Sequence, residues 1–163
     1  MKVTLYFSYK KITDASLPVR NLTVAFPSLI TWKGTPKHVK KVIFTYNEEM
    51  GFTKEEIKMM TLENPSVLKR HNEEYVLKQF DILHNDAKFA HELLAKFPNS
   101  LLGSWLDTKS RLDFLKHLGR DQFDPSRPNY VSPDMLGTGD DSSFCISVAK
   151  CPLELYDEFL KTL

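Results

Sequence analysis

Apolar positions recur along this chain at helical rather than strand spacing. Between residues 39 and 50, Val39, Val42, Ile43, Tyr46 and Met50 fall on one stripe, the pattern by which an amphipathic helix covers a core. Gly51 follows and suits a helix C-cap, and Thr53 with Glu56 has the spacing of a capping box, so a second helix is predicted to start there. That helix meets Pro65, which lacks an N–H and clashes with the preceding turn. The same reading predicts a helix carrying Val76, Phe80 and Leu83, with Asn85 near its end. A shorter one follows with Phe89, Ala90, Leu93 and Leu94 before Pro98.

Three helices therefore stop in one way, at "AFPSLI" (25–30), "ENPSVL" (63–68) and "KFPNSL" (96–101). Counting back from Pro27, Pro65 and Pro98, the aligned positions are Leu5, Ile43 and Val76; Ile12, Met50 and Leu83; Val19, Ile57 and Ala90; and Leu22, Met60 and Leu93. After the proline come Ile30, Leu68 and Leu101. All are apolar, and the columns need no gap inside a unit. Each unit reads as helix, turn, helix and proline stop, the signature of a stacked repeat. The expected organisation is all-α, with repeats over about 1–34, 35–72 and 73–105 and a degenerate unit over 106–136. A polar loop and a capping helix of roughly 144–162 complete it. An atypical last unit is what a solenoid needs at its exposed end. The N-terminus starts directly in a unit-like helix, which predicts that further repeats precede it. The competing architecture is an ordinary helical bundle with coincident prolines.

Composition narrows the classes. The chain has 163 residues, of which 42% are hydrophobic and 26% charged, as in an ordinary globular domain. No apolar run has the ~18 residues of a membrane span. The N-terminal "MKVTLYFSYKK" resembles neither a secretory signal nor an Arg/Ser-rich transit peptide. Two cysteines, Cys145 and Cys151, are too few for a disulfide framework or a zinc cage. His38, His71, His84, His91 and His117 form no ligand spacing with Cys or carboxylates, and Asp140 and Asp141 sit together on a polar loop. No glycine-rich phosphate loop is present. The expectation is a protein without catalytic residues, metal or cofactor. The formal net charge of +1 is uneven. Residues 1–51 hold eight Lys/Arg against three Asp/Glu, and residues 121–163 hold three against eight. A basic front suits an anionic partner.

"MGFTKEEIKMMTLENPSVL" (50–68) resembles one repeat of the mTERF family, the mitochondrial transcription termination factors. "FLKHLGRDQFDPSRPNY" (114–130), "FCISVAK" (144–150) and "FLKTL" (159–163) resemble the C-terminal end of one animal subgroup of that family. The resemblance implies a right-handed helical solenoid with a basic concave face, located in the mitochondrial matrix. It also implies binding to mitochondrial double-stranded DNA or ribosomal RNA, and a role in mitochondrial transcription or in assembly of the large mitoribosomal subunit.

A surface for nucleic acid needs Lys and Arg on one face, because phosphate neutralisation dominates affinity. Lys37, Lys40 and Lys41 lie at i, i+3 and i+4, opposite the apolar stripe of their helix, with Lys33 before them. Lys69 and Arg70 follow Pro65. Lys109 and Lys116 share a face of the helix that opens the fourth unit, flanked by Arg111 and Arg120, and Arg127 lies in the loop beyond. In stacked repeats these residues would line up as a stripe. If the concave face is instead apolar or acidic, the alternative is a scaffold that docks a protein partner, for example an RNA-modifying enzyme. For the loop of residues 119–130, the alternative to contact with nucleic acid is a fastener for the terminal cap, with Phe123 and Tyr130 buried.

Overall fold

The computed structural model describes residues 36–69 and 72–163, and every regular element among them is helical. The chain divides into two compact units, Met1–Glu73 and Glu74–Leu163. The first expected repeat, with Pro27, lies outside the described residues.

In the first unit, α1 (Pro36–Phe44) passes into a π turn, Thr45–Glu49. The Met50 N–H closes onto the Thr45 carbonyl at 3.0 Å and the Phe52 N–H onto the Tyr46 carbonyl at 2.9 Å. Between them Gly51 has φ 77, a left-handed conformation that glycine adopts without Cβ strain. Helix α2 (Lys54–Glu63) starts at the predicted capping box. The Glu56 N–H donates to Thr53 Oγ1 at 3.2 Å, and Glu56 Oε2 accepts from the Thr53 N–H at 2.8 Å. Pro65 then opens a 3₁₀ turn, Pro65–Lys69, that tucks Val67 and Leu68 under the two helices. Val39, Tyr46, Met50, Phe52, Ile57 and Met60 complete this core, each 3% exposed or less. Burying one such side chain stabilises the fold by about 1.5–3 kcal/mol.

The second unit repeats that order of elements. Helix α3 (Glu73–Asp81) enters a π turn, Ile82–Asp86, and Lys88 takes the left-handed place at φ 63. Helix α4 (His91–Lys96) and the 3₁₀ turn Pro98–Leu102 follow. The closing bonds recur as Ala87 N–H to Ile82 O at 2.9 Å and Phe89 N–H to Leu83 O at 3.1 Å. Matching these turns pairs Tyr46 with Leu83, Phe52 with Phe89 and Ile57 with Leu94, all at most 2% exposed. The proline-based columns differ: they pair Ile57 with Ala90, which is the exposed N-cap of α4. The cause is length, since α2 has 10 residues and α4 has 6. Four residues are close to one helical turn, so the apolar columns survive the shift although the equivalences do not.

Helix α5 (Trp105–His117) is capped by Ser104 and buries Thr108, Arg111, Leu112, Phe114 and Leu115. It ends at Gly119, φ 64. No helix forms over 118–132, where Pro125 and Pro128 fall. Helix α6 (Pro133–Gly137) packs on α5 and on the turn Pro98–Leu102. The chains approach so closely there that a Cβ on Gly103 would stand 1.8 Å from the Gly137 carbonyl oxygen. The single helix expected over roughly 144–162 is two: α7 (Asp141–Phe144) with a π turn Cys145–Ala149, and α8 (Leu153–Leu160). Lys150 at φ 51 and Pro152 at the N-cap of α8 break it. Phe114, Phe144 and Tyr156 meet between α5, α7 and α8, with ring centroids 4.9 and 5.7 Å from Tyr156.

Candidate nucleic-acid interface

Helix α1 turns Val39 inward and leaves Lys37, Lys40 and Lys41 exposed, as the 3.6-residue period requires. His38 anchors the helix by donating from Nε2 to the Leu68 carbonyl at 3.1 Å. Lys41 is not equivalent to its two neighbours. Its ammonium pairs with the Glu73 carboxylate, which also accepts from Thr45 Oγ1 at 2.8 Å. The bond from Lys41 and then the one from Thr45 hold Glu73 below the usual carboxylate range, and Glu73 holds Lys41 above the usual amine range. Lys69 is half-buried on the 3₁₀ turn, and burial lowers its pKa. Lys33 and Arg70 lie outside the described residues.

The basic residues of the second unit separate into three situations. Lys109 bridges Asp86 at 3.3 Å and Asp113 at 3.2 Å. Partial burial works against its charge, but the two carboxylates outweigh that and raise its pKa. Arg111 leaves the surface altogether, at 2% exposed. Its guanidinium donates to the carbonyls of Thr138 and Gly139, each at 2.8 Å, and to Asp141 Oδ1 at 2.8 and 3.1 Å. The expectation of a cation flanking the Lys109 face is therefore corrected: this side chain is a buried tether. Arg120 donates to the carbonyls of Ala149 and Lys150, so the loop after α5 is fastened to the end of the π turn. Phe123 rests edge-on against Phe89 at 5.1 Å. Arg127 is exposed and pairs with Asp124 at 3.2 Å. Lys116 is exposed in the last turn of α5.

Among the described candidates, Lys37, Lys40, Lys116 and Arg120 are exposed without an acidic partner, and of these Arg120 is already committed to the Ala149 and Lys150 carbonyls. Lys37 and Lys40 share one helix of the first unit, and Lys116 belongs to the second. Lys78 was not singled out from the sequence. It lies over the Trp105 ring at 4.9 Å from the centroid and pairs with Glu74 at 2.8 Å. The Glu74/Lys78 spacing is visible in the sequence, whereas the aromatic contact is tertiary. Among the described residues no helix is long and apolar enough to cross a membrane.

No family model matches the chain. Curated relatives do. The transcription termination factor 3, mitochondrial, of Drosophila melanogaster is 34% identical over 144 residues, which cover 88% of this chain and 40% of that protein. The proteins of the same name from Mus musculus and Rattus norvegicus are 42% and 37% identical, over 52% and 56% of this chain and 20% and 22% of their own length. This chain therefore spans well under half of the relatives it matches. With three relatives of one name matching at 34–42% identity, one of them over 88% of this chain, the chain belongs to the mTERF family.

Proposed function

We propose that this chain is a nucleic-acid-binding part of a mitochondrial mTERF factor, acting in the matrix without chemistry of its own. Its repeats stack into a right-handed solenoid closed by an atypical C-terminal unit. It occupies mitochondrial double-stranded DNA or ribosomal RNA, and so regulates transcription or assembly of the large mitoribosomal subunit. The names of the matched relatives support the compartment and the link to transcription. The observation that carries the binding surface is α1. Lys37 and Lys40 stand exposed and unpaired on its outer face, while Lys41 is held by Glu73 and orders the end of the helix rather than waiting for a phosphate. Phosphates would meet these two ammonium groups first.

A fluorescence titration against duplex DNA, single-stranded DNA and structured ribosomal RNA at ~50 and ~200 mM salt tests this. Binding should weaken with salt. Lys37→Ala/Lys40→Ala should reduce affinity and lower the magnitude of the salt slope by up to about 2, since each lost phosphate contact removes about 0.9. The preferred ligand decides between transcription and ribosome assembly. Absence of salt-dependent binding to all three ligands would sink the proposal and favour a scaffold that docks a protein.

A further inference from the structure

Both cysteines of the chain meet at the turn between α7 and α8. Lys150, at φ 51 and ψ 49, folds the backbone back on itself. The Cys151 N–H then donates to the Cys145 carbonyl at 3.1 Å. Left-handed closures of this kind bring the residue after the turn against the last turn of the helix. Here that backbone bond sets Cys151 against Cys145. Cys145 is buried, whereas Cys151 is half-buried and reachable from solvent. Arg120 holds the same turn through the Ala149 and Lys150 carbonyls, so the sulfurs are presented by a fastened segment. The nucleic-acid surface argued above uses neither cysteine.

We propose that Cys145 and Cys151 are a thiol oxidation site, joined by a reversible intramolecular disulfide when the chain meets a hydroperoxide. The order of events follows from exposure. Burial, first of all, raises the Cys145 thiol to about 11, so it is the weaker first nucleophile. The Cys151 thiolate attacks a peroxide oxygen, the O–O bond breaks, and a sulfenic acid and water result. The Cys145 sulfur then attacks the Cys151 sulfur and displaces the hydroxyl as a second water. Two thiols and one hydrogen peroxide give one disulfide and two waters. A dithiol reductant reverses the bond by exchange.

The test uses the full chain treated with hydrogen peroxide, alkylated, and digested with trypsin without reduction. Lys150 lies between the cysteines, so cleavage after it separates them unless a disulfide joins the peptides. The expected product is the peptide ending at Lys150 linked to the one starting at Cys151, lighter than the two together by two hydrogens. Dithiothreitol should release both. Cys151→Ser, a change at a half-buried site, should abolish the linked pair and leave Cys145 reduced at the same peroxide dose. Recovery of both cysteines as separate alkylated peptides would overturn the proposal. So would oxidation of Cys151 alone to a sulfinic acid, or a disulfide between two chains.

Discussion

The guanidinium of Arg111 joins α5 to the loop between α6 and α7, with donors directed to Thr138, Gly139 and Asp141. Removing it leaves the part-buried Thr138 and Gly139 carbonyls without this donor and opens space beneath the Phe144 ring, over which its carbon centre lies at 5.3 Å. Arg111→Met should lower the free energy of unfolding by about 2–4 kcal/mol in urea titrations, through unmet acceptors and lost packing. Arg111→Lys should recover only a small part, because one ammonium cannot reproduce the planar fork. A loss below ~1 kcal/mol for Arg111→Met would show that the tether is dispensable. Its burial was legible in the sequence, had the helical period been applied to polar residues. Thr108, Arg111, Leu112 and Leu115 lie on one face, and all four are buried. The fate of Lys41 was not legible, because its partner Glu73 comes from a distant point of the chain and only the folded first unit joins them.

Local signals of the helices translated directly where a side chain and a backbone group decide the geometry within one turn. Thr53/Glu56, Gly51 and Pro65 are such cases, and each sits where its chemistry placed it. Signals that depend on counting failed by one turn, because α4 is shorter than α2 and helical phase hides a four-residue change. The break before α8 was hidden in the same way. Phe144, Val148, Tyr156 and Phe159 keep helical phase across it, and Pro152 was the available sign. The comparison of the two short helices gives a prediction. Where α2 has Thr53 at its N-cap, α4 has exposed Ala90 at φ −70 and ψ 154, with no side-chain cap. That backbone already suits a hydroxyl accepting from the first turn. Ala90→Ser should therefore stabilise the chain by about 0.5–1 kcal/mol in a denaturant titration. A destabilised variant would mean that the methyl group of Ala90 is needed where it stands.

Across the molecule, the charge distribution separates two explanations of any affinity for nucleic acid. The chain is close to neutral at +1, with its excess of cations toward the N-terminus and its excess of acids in the last 43 residues. General attraction would follow the net charge, whereas a defined surface would follow which charges are removed. Asp157 and Glu158 are exposed on α8. Combining Asp157→Asn and Glu158→Gln with Lys37→Ala/Lys40→Ala removes two charges of each sign and leaves the formal net charge at +1. If phosphates bind at α1, this variant should be as weak as Lys37→Ala/Lys40→Ala alone at ~200 mM salt, where screening acts over roughly 7–8 Å. The acid changes alone should then alter affinity less than about twofold, since they touch only the long-range field. If the four-site variant instead regains the affinity of the parent, its binding is set by overall charge, and the two lysines of α1 have no special place in it.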